Sequence, residues 1–273
     1  MVIQSRRSFI TSAAAGIAGI PLIHAAAPVT PKFSLGIQAF SLRKYSLDDA
    51  LRYTKELGFD AIEFYPKMFS VTNDLSQIKT VLQKVRDQGL TISAHGVNKF
   101  TADSEANRKV FSFAKQAGIK TLTADPSADS FDNLEALVQE FDIRVAIHNH
   151  GPGHRYSKVL DVLQAIENRD QRIGACADLG HYIRSAERPV EVIRLLKGRL
   201  YGIHLKDVAE MQKKTEGVIL GQGHLDVPAV FAALDQVGFP KDGALSLEYE
   251  KNPDSPLNDI WQCVAIARNA MAS

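Results

Sequence analysis

Cysteine is nearly missing from this chain: Cys176 and Cys263 are the only two, far apart and in no spacing that a metal site uses. A disulfide framework is thereby excluded. The pair reads as two buried free thiols, with a single bridge open only to an oxidising compartment. Charge of one sign is lacking as well. Lys and Arg number 32 against 31 Asp and Glu, a formal net charge of +1, and basic residues form no run that would track a nucleic-acid backbone. Nucleic acid is therefore not an expected partner. The apolar stretch TSAAAGIAGIPLI is too short and too rich in Ala and Gly to span a membrane, so no span is expected in the mature protein. Nor does a glycine-rich phosphate turn follow the first apolar run, FSLGIQAF, where an open doubly wound sheet would tend to carry one.

What is present begins with a leader. Arg6 and Arg7 precede Ser8 and Phe9, then the small apolar stretch, then Ala25-Ala26-Ala27. A charged start, a short apolar run and a small-residue cleavage site make an export signal. The paired arginines resemble the twin-arginine type, with an ordinary secretory signal as the alternative. Residues 1–30 are thus expected to be a signal and short linker, cut near Ala27, and the mature protein to be periplasmic or otherwise exported.

From residue 31 to 273 the chain alternates. The apolar runs FSLGIQAF, FDAIEFY, LTISAHG, IKTLTAD, RVAIHNHG, RIGACADLG, LYGIHLKD and ALSLEYE read as strands covered on both faces. Helical patterns lie between them. Val159, Val162, Leu163 and Ile166 form one stripe, and Asp226 before Pro228 looks like a helix start, with Val230, Leu234 and Val237 on its buried face. Gly58, Gly89, Gly118, Gly198 and Gly238 each close a helical pattern. Eight strands, each followed by a helix, in 273 residues predict a single (β/α)8 TIM barrel.

The chemistry gathers at one rim. Leaving aside His24 in the leader, the histidines are His95, His148, His150, His154, His181, His204 and His224. Each is expected at the C-terminal end of a strand or in the loop after it, none inside a helix. Barrel enzymes build their sites on that face. His154 and His224 also read as plain loop residues. Glu63, Asp178, Glu248 and Glu250 fall at strand ends too, either as a ring that holds a divalent cation or as partners of Arg43, Lys206 or Arg155. Residues two apart on a strand face one way, so His148 goes with His150 and His204 with Lys206.

The segments AIHNHGP, ADLGH, IHLKD and LSLEYE, in this order and spacing, resemble the sugar phosphate isomerase/epimerase family. These are xylose isomerase-like barrels that include tagatose and psicose 3-epimerases and inosose dehydratases. The likeness spans the whole chain after the leader, and the HNH segment is similar to an exported branch of that family. It implies one divalent ion (manganese, cobalt, zinc or magnesium) held by His148, Asp178, His204 and Glu248, with His150 in reserve for the fifth strand. It also implies a sugar or sugar derivative as small-molecule partner. Where epimerases carry a second glutamate opposite the first, this chain has His148. Glu248 is then the remaining proton-transferring base, with His150 or Glu63 as catalytic candidates to replace its lost partner. His95, His181 and Lys206 are expected to contact substrate.

The activity implied is metal-dependent isomerisation or epimerisation by proton abstraction beside a carbonyl. Elimination or hydrolysis of keto-sugars, such as 3-keto-glycosides, is the alternative. A non-catalytic sugar-binding barrel and an endonuclease IV-like enzyme stand behind it, the latter at odds with the near-neutral charge. The oligomeric state stays open, a homo-oligomer included.

Overall fold

Runs such as IGACAD and ALSL can be strands only if both faces are covered, and both are buried along their whole length in the computed structural model, which describes residues 32–273. The leader lies outside the described residues. In chain order the strands are β1 (Gly36–Gln38), β2 (Ala61–Phe64), β3 (Thr91–Phe100), β4 (Thr121–Pro126), β5 (Arg144–His148), β6 (Ile173–Asp178) and β7 (Leu200–Leu205). A small hairpin, β8 (Asp207–Val208) and β9 (Gly217–Val218), precedes β10 (Ala244–Leu247). The eight longer-range strands pair in parallel and close into a ring, β1-β10-β7-β6-β5-β4-β3-β2, with the hairpin outside it. This is the (β/α)8 barrel.

The helices are α1 (Leu47–Glu56), α2 (Leu75–Asp87), α3 (Ser104–Ala117), α4 (Phe131–Phe141), α5 (Val159–Ile166), α6 (Leu179–Arg184), α7 (Pro189–Leu195), α8 (Val227–Val237) and α9 (Leu257–Met271). Their starts follow from short polar caps. Ser46, Asp74, Asp103 and Asp226 each accept a backbone N–H of the first turn, which has no helical partner of its own. Gly118 and Gly238 end α3 and α8 at φ 69° and 70°, a left-handed backbone that glycine adopts without a Cβ clash. In α5 the expected stripe is buried at Val159, Val162 and Ile166, while Leu163 is half-buried. Among the described residues no helix is long and apolar enough to cross a membrane. Cys176 and Cys263 are buried and unbridged.

One departure from the expected alternation bears on the site. Two short helices, not one, join β6 to β7. α6 ends at Arg184 because Ala186 takes a left-handed backbone (φ 57°) and the Glu187 N–H turns back to the Tyr182 carbonyl, and Pro189, which lacks an N–H, then opens α7 at its first turn. Because the Asp178 carboxylate accepts the His181 N–H and starts α6 at once, His181 lies inside a helix, not in a loop as the sequence pattern suggested.

Register fixes the height of each rim group. Asp178 pairs with His204, and His204 pairs with Ser246, two residues before Glu248. On the neighbouring strand His148 is level with Cys176. Four consecutive strands of the ring, β5, β6, β7 and β10, thus bring their C-terminal ends together.

Candidate metal centre

His148 ends β5, Asp178 ends β6, His204 lies on β7, and Glu248 follows β10 directly. One side-chain atom from each lies within 4.8 Å of all the others, and all four residues are buried. His148 Nε2 is 3.0 Å from His204 Nδ1 and 3.7 Å from Asp178 Oδ2. His204 Nδ1 is 3.1 Å from Glu248 Oε2 and 3.9 Å from Asp178 Oδ2. Ligands bound at about 2.0–2.3 Å to one ion stand roughly 3–4 Å apart, so the spacing fits a shared cation.

The donor set has the right chemistry. Asp178 Oδ2 and Glu248 Oε2 are buried and accept no hydrogen bond. Lys206 Nζ is an ion-pair neighbour 3.0 Å from each, without hydrogen-bond geometry. Two buried carboxylates, Asp178 and Glu248, share that one ammonium with Glu250, and excess buried negative charge is costly unless a cation joins it. Burial raises both carboxylates' pKa, yet neighbouring positive charge wins. His181, its pKa pushed by burial down to about 3 and so charged only in the acid range where Asp178 titrates, and Lys206 hold Asp178 well below its ordinary value, and Lys206 and His204 do the same for Glu248. The residues present fit a divalent ion.

Beneath the cluster, Glu63 fixes His204. Its Oε2 accepts from Ser246 Oγ at 2.7 Å and lies 3.1 Å from His204 Nε2, while Oε1 accepts from Thr123 Oγ1 at 2.8 Å. Donation of Nε2–H to Glu63 leaves the Nδ1 lone pair facing the other ligands. Glu63 therefore does not line the cavity, contrary to the sequence expectation, because its side chain points into the barrel one level below the rim with both oxygens engaged. His95 departs in the same way. β3 runs on to Phe100, which leaves His95 in mid-strand, fully buried, with Nε2 2.9 Å from the Phe69 carbonyl and its ring 5.1 Å from that of Phe113. It is a core histidine.

The remaining expected residues do meet. His148, His150, His181, His204, Lys206 and Glu248 border one cavity of about 360 Å³. Burial, with His148 and His154 nearby, pushes the His150 pKa down to about 4, so its imidazole is neutral at pH 7. Lys206 borders the cavity too, but its ammonium also reaches Glu250 Oε1 at 2.5 Å and so serves three carboxylates. Its stem passes over Gly180, where a Cβ would come within 2.7 Å of Lys206 Cγ. His154 and His224 are exposed and outside the cavity.

Sequence reasoning missed several parts. Asn149, the middle residue of the HNH segment, accepts the Asp178 N–H at 2.7 Å and donates to the Asp178 carbonyl at 3.0 Å. It ties the β5 end to the β6 end, and its place between two histidines was the available signal. Phe40, Tyr65, Pro66 and Val97 form an apolar wall opposite the histidines, with the Phe40 and Tyr65 rings 5.5 Å apart edge to face. Asp207 organises the loop beside the site. Its buried carboxylate accepts four backbone N–H groups, from Val208, Gly221, Gly223 and Leu225, at 2.8–3.0 Å.

The family model described as xylose isomerase-like TIM barrel matches residues 51–262. An inosose dehydratase of Clostridium botulinum (strain Eklund 17B / Type B) is 25% identical over 142 residues, 46% of this chain and 47% of that protein. The match thus spans about half the length of such curated relatives. Among solved structures, an uncharacterized protein from Parabacteroides distasonis ATCC 8503 is 27% identical with a TM-score of 0.67, covering 87% of this chain and 98% of that one. The 3-keto-D-glucoside 4-epimerase of E. coli shares the fold at 17% identity and a TM-score of 0.70, covering 87% and 100%.

Proposed function

The chain belongs to the xylose isomerase-like TIM barrel family, and on that premise we propose that it is a divalent-metal-dependent enzyme that removes a proton beside a carbonyl of a sugar or sugar derivative. The observation that carries this reading is the cluster of His148, Asp178, His204 and Glu248, three of which (His148, His204 and Glu248) border a cavity with one apolar wall. When bound there, a divalent ion would polarise the substrate carbonyl and offset the negative charge that grows on its oxygen. Glu248, held ionised at the rim, takes the proton. The neutral imidazoles of His150 and His181 supply hydrogen bonds to substrate oxygens, and the Phe40–Tyr65 wall covers the less polar face of the ring.

Return of the proton gives isomerisation or epimerisation. A second reading, elimination, is favoured by the one-sidedness of the carboxylates. Glu248 and Glu250 leave the same strand end, and the facing wall of Phe40, Tyr65, Pro66 and Val97 carries no carboxylate to act on the other face. The partial likeness to inosose dehydratases points the same way.

The test is solvent exchange. The manganese-loaded protein is incubated in D2O with free ketoses, aldoses, inososes and 3-keto-glycosides. Deuterium should enter a substrate beside its carbonyl, and Glu248→Gln should lower that exchange by about 10²–10⁴-fold. A released leaving group assigns elimination, and an inverted carbon assigns epimerisation. Exchange that survives in Glu248→Gln, or none with any of these sugars, overturns the proposal.

A further inference from the structure

Arg184 ends α6 three residues beyond His181, which puts the two side chains on one face of the helix. Its Nη1 stands 3.2 Å from His181 Nδ1, and its Nε donates to the Lys213 carbonyl at 3.1 Å. The guanidinium also lies against Gly151, where a Cβ would come within 3.0 Å of its central carbon. Only a residue without a side chain leaves it room there. Three separate segments thus hold this group in place.

A guanidinium has donors and no acceptor, and it stays protonated at any working pH. The ring nitrogen it faces must therefore accept. Nδ1 of His181 carries the lone pair, and the single ring proton sits on Nε2. Nε2 is 3.9 Å from Asp178 Oδ2, beyond hydrogen-bonding distance, and His181 borders the cavity. We infer that Arg184 is a positioning residue that locks His181 in its Nε2–H form, as a hydrogen-bond donor to a hydroxyl or carbonyl oxygen of the substrate. The alternative tautomer would aim a lone pair at that oxygen and repel it. The identity of the acceptor rests on the sugar reading of the cavity, whereas the tautomer does not.

The test reads the ring nitrogens directly. In long-range ¹H–¹⁵N spectra of the histidine-labelled protein loaded with diamagnetic magnesium, with His181 assigned by difference from His181→Gln, the Nε2–H pattern is expected. Arg184→Met should shift His181 to a mixture of both tautomers. Arg184→Lys, which keeps a cationic donor, should restore the original pattern. On a substrate found by the exchange assay, Arg184→Met should lower kcat/KM at least about tenfold with metal content unchanged, and Arg184→Lys should recover much of the loss. A wild-type His181 protonated on Nδ1 overturns the inference, as does an Arg184→Met protein that keeps the pure Nε2–H form. If Arg184→Met does not fold, the wild-type and Arg184→Lys spectra still decide. No sugar enters the spectra, so failure of the proposed reaction and failure of this inference are separate results.

Discussion

Glu63 and His204 show how a residue can matter to a site that it does not line. The Glu63 carboxylate is fully buried, yet it sets which ring nitrogen His204 turns toward the other three ligand groups. Glu63→Gln should therefore weaken divalent-ion affinity by about 10–100-fold, measured by titration calorimetry, while the shape of the cavity is kept. Unchanged affinity would show that Glu63 serves packing alone. A second residue-scale prediction concerns pH. His150 has a folded pKa of about 4, against about 6.5 in an unfolded chain. Between those values the unfolded chain binds more protons, so stability rises with pH. The contribution of neutral His150 is complete above about pH 6.5 and is lost as pH falls toward about 4. Thermal unfolding of His150→Gln should show a flatter pH dependence than wild type across that window. Equal slopes would mean that His150 titrates alike in both states.

At the scale of elements, the loop from Val208 to Leu225 hangs on one carboxylate. Asp207→Ala removes the acceptor of four backbone N–H groups, and burying such donors without partners costs about 1–3 kcal/mol each. The loop should open before it bears that cost. Limited proteolysis is expected to cut between residues 209 and 222 while the barrel resists, and protection equal to wild type would refute the anchor. This loop also marks where sequence reading stops. Its hairpin strands are two residues each, too short for any alternation to register. The barrel strands and the glycine helix ends were legible because their signals repeat through the chain. His148, Asp178, His204 and Glu248 were legible as strand-end groups. Depth within a strand was not. Nothing in LTISAHG tells that β3 continues to Phe100 and sinks His95 into the core. Nothing in FDAIEFY tells that Glu63 stops below the rim. Arg184 was hidden because its role depends on α6 starting at Asp178 and stopping before the left-handed Ala186, a consequence of chain geometry and not of pattern.

For the whole molecule, ion binding should appear as stability. A ligand that binds only the folded form, present at about a thousand times its Kd, adds about 4 kcal/mol. In a domain of this size each kcal/mol moves Tm by about 2–4 °C. Calorimetry in chelator and then in manganese should thus show a rise of roughly 8–16 °C. The same titration on Asp178→Asn should show little or none, and equal shifts in both proteins would place the ion elsewhere.

The closed ring divides its labour by arc. The strands β5, β6, β7 and β10 sit side by side and carry the whole ligand set, while β1, β2 and β3 on the other side supply Phe40, Tyr65 and Val97. Apart from Glu63, which reaches His204 from β2, selection can therefore rewrite the wall without retuning the ligands. Libraries confined to positions 40, 65, 66 and 97 should explore new sugar shapes on an intact ion site, and drift over evolutionary time would be free to do the same. A barrel closed in this way behaves as a fixed reactor with an exchangeable mould.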